Sequence, residues 1–243
     1  MIFHDFNLRG GKFSSDLELV REAYRLGWNH VNLMYSTDNY LNLDYKDELI
    51  EESLNLTSEY SKGPISIDFG VEINVKNPND IRKYVKKFRD STNIISIWGG
   101  DIKINRIACE NIQIDVLSRP YFKRYDAGLN HVLAKEAVRN NVAIELCLND
   151  VLNSYLTYRA KIIANFRDII KLYKKFKFPL ILSSGAKSIF DIRTPQDTFT
   201  FFKLLGLDTN HLQNCFNNNP RNIINFNKER DNIVVQGVKK IRK

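Results

Sequence analysis

A single α/β domain of the TIM-barrel-like (β/α) type, with about seven parallel strands inside a layer of helices, is the fold class this sequence predicts. Short apolar, β-branched runs recur along the chain with amphipathic helical patterns between them. That alternation is what a parallel sheet with helical crossovers requires. No linker or low-complexity stretch breaks the series, and no repeat of roughly 20 to 50 residues marks a solenoid. With 243 residues, 43% of them hydrophobic and only 11 glycines and 6 prolines, the chain can bury one sizeable core. Disorder and a collagen-like fibre are thereby excluded. An open doubly wound sheet is the rival arrangement of the same elements.

In chain order, the first strand is expected over Ile2–Phe6 and the first helix over Asp16–Leu26. Ser14-Ser15-Asp16 offers capping oxygens, Glu18 sits in the first turn, and Gly27 stands where a left-handed cap belongs. Strand His30–Met34 follows, then a helix over Lys46–Tyr60, strand Ile65–Ile73 and a helix over Asp80–Arg89, opened by Asn77-Pro78-Asn79-Asp80. Strands Ile94–Ile97 and Gln113–Val116 precede a helix over Leu129–Arg139 and strand Val142–Cys147. The longest helix, Tyr158–Phe176, leads to strand Leu180–Ser183 and to a helix over Pro195–Leu205. Thr194 caps that last helix, Pro195 suits its first position, and Gly206 closes it. The domain is expected over residues 1–230, with a basic C-terminal tail at 231–243.

Lys and Arg number 36 against 28 Asp and Glu, leaving a net charge of +8, so a polyanion is the first partner to consider. The excess is local. Arg159 to Lys177 holds seven basic residues and one acidic, and Lys228 to Lys243 holds six against two. Thr37 to Tyr60 holds seven acidic residues and one lysine, so a basic face and an acidic face are expected. On the long helix, Ile162, Ile163, Phe166, Ile169, Ile170 and Tyr173 fall in one arc, with Arg167, Lys171, Lys174 and Lys175 opposite. That basic side is either a solvated outer face or a polyanion dock.

Cys109, Cys147 and Cys215 are odd in number and far apart, as expected of reduced, buried thiols in a cytoplasmic protein. No apolar run is long enough to span a bilayer, and the N-terminus lacks the order of a signal peptide, so no membrane association is expected.

Barrels do their chemistry where strands end, which directs attention to Asp5 to Gly10, Gly70 to Ile73, Asp115 to Pro120, Glu145 and Ser183 to Lys187. This layout resembles the polymerase-and-histidinol-phosphatase superfamily of metal-dependent phosphoesterases. That superfamily carries D-x-H-x-H after the first strand, a Glu after the third, a D-V-x-x-H-P turn and a D-x-H near the last strand. Laid on the template, its histidine slots read Asn7, Arg9, Arg119 and Lys187, its last aspartate slot reads Gly185, and Glu72 alone survives as a ligand. Zinc or manganese needs three or more converging imidazole or carboxylate ligands, and cations repel it. No metal is therefore expected in this chain. Arg9, Arg119 and Lys187, with Lys123, Arg124, His131 and Arg193 nearby, suit phosphate oxygens instead. The alternative is an internal network in which Arg9 and Arg119 pair with Asp5, Asp115, Glu72 or Glu145. Two enzyme readings compete with a nucleic-acid scaffold: a metal-dependent phosphoesterase around Glu72, Glu145 and Asp115, and a metal-free barrel taking a small phosphorylated ligand at Ser183–Lys187.

The motifs FHDFNLRG (Phe3 to Gly10), GVEI (Gly70 to Ile73), DVLSRP (Asp115 to Pro120), GLNHVLAKEA (Gly128 to Ala137) and NVAIE (Asn141 to Glu145) occur in that order. Phe166-Arg167, SSGAKS (Ser183 to Ser188), Asp191-Ile192-Arg193 and Asn219-Pro220-Arg221 follow. Together they resemble the ribonuclease P protein component 3 family, over nearly the whole chain. The resemblance implies a non-catalytic subunit of the ribonucleoprotein that removes 5′ leaders from precursor tRNA. Catalysis would lie with the RNA subunit and its Mg2+. The implied partners are ribonuclease P RNA, protein component 2 in a two-plus-two heterotetramer, other protein subunits and, in the holoenzyme, precursor tRNA. By position, the resemblance carries RNA support to Arg124, His131, Lys175 and Arg193, and with less exact placement to Lys103 and Arg106. With Arg9, Arg119, Lys187, Lys171 and Lys174 from the charge pattern, these are the candidate RNA-binding residues.

Overall fold

The computed structural model describes residues 1–60, 63–230, 233–235 and 238–239. Seven strands form one parallel sheet in sequential order: β1 (His4–Arg9), β2 (His30–Ser36), β3 (Ser66–Ile73), β4 (Ile94–Trp98), β5 (Val116–Ser118), β6 (Ala143–Cys147) and β7 (Leu180–Ser183). The Arg9 amide donates to the Ala186 carbonyl at 2.8 Å, bringing the first strand's end against the segment after the last. The result is a nearly closed barrel. Around it run α1 (Phe13–Leu26), α2 (Thr37–Leu41), α3 (Lys46–Tyr60), α4 (Asp80–Phe88), α5 (Ile102–Cys109), α6 (His131–Arg139), α7 (Leu148–Leu152), α8 (Leu156–Phe176), α9 (Pro195–Leu204), α10 (Thr209–Gln213) and α11 (Asn219–Lys228).

Successive side chains on a strand point to opposite faces, so each barrel strand feeds two cores. The outer core lies between sheet and helices. Inside the barrel, Phe6, Met34, Ile94, Val116, Ala143 and Ile181 form one apolar layer, completed by Ile223 and Ile224 of α11. That helix stoppers the barrel at the N-terminal ends of its strands. Asn219 donates to the Leu180 carbonyl (2.8 Å), Asn227 to Asp115 (2.8 Å), and Lys228 pairs with Asp68 (2.9 Å). Burying the two isoleucines contributes about 1.5–3 kcal/mol each, more than a half-exposed pair such as Lys228–Asp68 supplies.

The differences from expectation have physical causes. β1 begins at His4 rather than Ile2 and runs to Arg9, because the barrel's inner layer turns polar at Asn7 and breaks the apolar run. β5 lies at Val116–Ser118 rather than Gln113–Val116. Asp115 precedes it and is buried, accepting from Arg89 (2.7 Å) and from the Ile95 amide (2.7 Å). The first helix starts at Phe13, earlier than the Ser-Ser-Asp signal, with Ser15 accepting from the Lys12 amide (3.1 Å). Thr194 caps α9 as expected, and Gly27 and Gly206 take left-handed backbones. The tail's side chains lie outside the described residues; its backbone contributes β8 (Ile233–Val235) and β9 (Val238–Lys239), paired antiparallel.

Strand order also separates the charges. The acidic α2 and α3 follow β2 and the basic α8 follows β6, about halfway around a seven-strand ring. Along α8, Ile162, Phe166, Ile169, Ile170 and Tyr173 are buried while Arg167, Lys171, Lys174 and Lys175 are exposed.

Candidate functional site

At the barrel mouth the inner layer above the apolar one is polar, and its side chains bond chiefly to one another. Glu145 accepts from Asn7 (3.1 Å) and from the Ser183 hydroxyl (2.7 Å). The Asp5 carboxylate accepts from the Ser184 amide (3.0 Å), and burial pushes its pKa up to about 6. Arg9 pairs with Glu72 and stacks over Trp98, its guanidinium carbon 4.8 Å from the ring centroid.

Arg119 closes the mouth. Its backbone is left-handed (φ 51°) and its side chain only 2% exposed. Nε donates to both oxygens of Asp150 (3.1 and 3.0 Å), Nη1 donates to Ser118 (3.2 Å) and lies 3.7 Å from Glu72, and the guanidinium carbon also lies 4.6 Å from the Trp98 ring centroid. Burial works against its charge, yet Cys147, Asp150, Glu72 and Glu145 around it hold its pKa well above the ordinary value. Tyr121, also buried, donates to Asp150 at 2.7 Å.

These contacts realise the internal network for Arg9 and Arg119, with Asp150 as an unforeseen partner and Asp5 and Asp115 elsewhere. The sequence offered no signal for Asp150, which lies 31 residues from Arg119. The superfamily's metal does not fit this donor set. Glu72 is held by two guanidinium groups, and the aspartate slot is Gly185, at φ 65°, where a Cβ would stand 2.6 Å from Arg119 Nη2. Among the described residues no group of three or more His, Cys, Asp or Glu side chains is placed to hold a metal ion.

The Ser183–Lys187 loop does not present an open phosphate cradle either. The Lys187 and Ser188 amides both donate to Asp191 (3.0 Å each), so a carboxylate already occupies the position an anion would use. Ser183, Ser184, Gly185 and Ala186 are buried, and Lys187 is exposed.

The remaining candidates divide between two regions. Helices run back against the strands, so helix starts and βα loops share the mouth rim. Arg124 lies in the loop after β5, bonded to the Gly100 carbonyl (3.0 Å) and to Asp126 (2.9 Å). His131 is the exposed first residue of α6, Lys103 is exposed at the start of α5, and Lys187 and Arg193 follow β7. Arg193 donates to the Phe190 carbonyl at 2.7 Å. Arg106 points outward on α5, paired with Glu110 (2.7 Å). Lys171, Lys174 and Lys175 sit at the far end of α8, away from the rim. The three cysteines are buried and burial raises their pKa values, Cys109 to about 12, which suits inert packing groups.

Comparison with known proteins follows the same lines. A chain in the cryo-EM structure of archaeal ribonuclease P with mature tRNA superposes with a TM-score of 0.79 at 31% identity, covering 99% of this chain and 98% of that one. Histidinol phosphate phosphatase from Lactococcus lactis shares the fold, with a TM-score of 0.53 at 12% identity over 85% of this chain and 94% of its own. Ribonuclease P protein component 3 of Methanothermobacter thermautotrophicus is 41% identical over 239 residues, 98% of this chain and 95% of the relative. Residues 2–232 match the family model described as RNase P subunit p30. The chain is thus a member of the RNase P subunit p30 family, to which the ordered motifs had pointed.

Proposed function

We propose that this chain is a protein subunit of ribonuclease P that supports the catalytic RNA during removal of 5′ leaders from precursor tRNA and performs no chemistry itself. The observation that carries the non-catalytic reading is the Arg9–Glu72–Arg119–Asp150 network, which fills the mouth with paired groups where a related hydrolase would bind substrate. What remains available is the outer surface. Arg124, His131, Arg193, Lys187, Lys103 and Arg106 on or near the rim, and Lys171, Lys174 and Lys175 on α8, are the proposed RNA-contacting residues. Arg9 and Arg119 leave that set because their guanidinium groups serve the barrel.

Mechanistically the contribution is electrostatic and architectural. Each phosphate a Lys or Arg neutralises releases counterions, so affinity falls by about 0.9 log units per log unit of salt for each duplex contact. Structured RNA is recognised through backbone, shape and 2′-hydroxyls, which needs no base-reading motif. The proposed partners are ribonuclease P RNA, protein component 2 in a two-plus-two assembly, and the other protein subunits, with precursor tRNA entering through the holoenzyme. Mg2+ belongs to the RNA in this reading. No described helix is long and apolar enough to cross a membrane, and a cytoplasmic location accords with the reduced thiols.

Reconstitution tests the reading. Adding the chain together with component 2 lowers the Mg2+ that the RNA needs for precursor-tRNA cleavage; no change in that requirement would refute it. Elemental analysis separates it from the phosphoesterase alternative, since stoichiometric zinc, iron or manganese in the purified chain would favour an enzyme.

A further inference from the structure

Three exposed rings stand on the mouth rim, in loops that follow the neighbouring strands β5, β6 and β7. Tyr125 is 94% exposed, Tyr155 75% and Phe190 81%. Isolated exposed aromatics are ordinary, but three from adjacent loops at one end of a barrel are not scattered.

Two of the rings have a cation beside them, and the third has one at its backbone. Lys161 Nζ lies 3.1 Å from the Tyr125 centroid, and the Arg159 guanidinium lies 5.7 Å from that of Tyr155. Arg193 bonds the carbonyl of Phe190 itself. The loops are held rather than slack. Arg159 also donates to the Ser154 and Leu152 carbonyls (2.6 and 3.2 Å), and Asp191 ties the turn beneath Phe190 through two backbone amides. Next to Tyr155, Leu156 is 88% exposed and keeps a left-handed backbone (φ 46°), a conformation that a bulky residue adopts only at a cost.

From this arrangement we propose that the rim is a stacking platform for unpaired RNA bases, with Tyr125, Tyr155 and Phe190 as the stacking surfaces and Lys161, Arg159 and Arg193 facing the adjoining phosphates. The inference rests on the ribonuclease P reading and extends it from backbone contact to base contact. Aromatic faces beside cations are the combination that takes single-stranded nucleic acid without reading its sequence. Protein interfaces also enrich aromatics and Arg but deplete Lys at their centre, and here Lys161 lies against Tyr125. The carboxylates adjoining two of these rings in sequence, Asp126 and Asp191, are bonded to Arg124 and to backbone amides.

The experiment compares the full chain with a Tyr125→Ala/Tyr155→Ala/Phe190→Ala variant and a Tyr125→Phe/Tyr155→Phe/Phe190→Tyr variant. Affinity for ribonuclease P RNA is measured over a salt series, with base-specific chemical footprinting. Because the rings are exposed, the variants fold. Removing them should weaken binding by at least about fivefold per engaged ring, the low end of one base–aromatic stack. The salt slope should stay unchanged, unpaired bases protected by the wild type should become reactive, and the ring-retaining variant should bind normally. Wild-type affinity and footprint in the alanine variant would overturn the inference. So would an alanine variant that binds RNA normally but loses component 2, which would assign the rings to a protein. If the wild-type chain itself fails to bind the RNA, the ribonuclease P reading fails, a result distinguishable from either.

Discussion

Replacing Arg119 by Met retains the stem's volume and removes the charge that holds the mouth together. Asp150 then loses two hydrogen bonds and keeps Tyr121, while Glu72 keeps Arg9. Removing one partner of a buried pair costs about 3–5 kcal/mol, because the other charge stays behind in a poor solvent. The retained partners, and the 17% exposure of Asp150, place this site at the lower end. Loss of the contact with Trp98 adds about 1 kcal/mol. For a domain of this size a loss of about 3–4 kcal/mol lowers the melting temperature by roughly 6–16 °C. Calorimetry reads the shift, and RNA titration below the new transition reads affinity and salt slope, both expected to match the wild type. Adding Asp150→Asn to the Arg119→Met chain should recover part of the stability, giving a favourable coupling in the double-mutant cycle. A variant that melts like the wild type but binds RNA with a reduced salt slope would refute the assignment and return Arg119 to the RNA-facing set.

Reversing Lys171, Lys174 and Lys175 to Glu should lower RNA affinity and flatten its salt dependence by about 0.7–0.9 per lost phosphate contact; circular dichroism should show an intact fold because all three are exposed. Gly185→Asp installs the residue type that metal-dependent phosphoesterases carry at this slot but drives a Cβ against Arg119 at φ 65°, so denaturant unfolding should show a loss above about 1 kcal/mol, smaller when Arg119→Met is present. Burial raises the Asp5 carboxyl to about 6, so the folded chain binds its proton more tightly than the unfolded one. Its contribution to stability is full below about pH 4 and lost as pH rises through about 6, so Asp5→Asn should gain about 2–3 kcal/mol over the wild type above pH 6, read from urea midpoints across pH.

The sequence carried the barrel well because strand alternation and helix periodicity are local. All seven strands lie near their expected positions, and α3 (Lys46–Tyr60) and β7 (Leu180–Ser183) match residue for residue. What escaped was set by distant contacts. Asn7 and Arg9 belong to β1 because Glu145 and Glu72 await them across the barrel, and Asp115 mimics a strand residue while bonding Arg89. α5, with Lys103 and Arg106, had too short an apolar pattern to stand out, and α11 was hidden in an asparagine-rich segment whose two isoleucines complete the inner layer. Arg9, Arg119 and Lys187 look alike as replacements for histidine. Only the left-handed backbone at Arg119 and the carboxylates around the first two separate internally paired braces from an exposed cation.

The length of α8 has a geometric consequence. Arg159 and Lys161 mark its rim end and Lys174 and Lys175 its far end, and helical rise over those 14 residues is about 21 Å. The inner face of α8 is pinned by Phe166, Ile169, Ile170 and Tyr173, so this distance is fixed by packing rather than by linker length. A single RNA that meets both ends must bring two of its segments to that interval. The helix then acts as a ruler, and inserting one turn into it would change the geometry such an RNA must satisfy without altering any of the helix's charges.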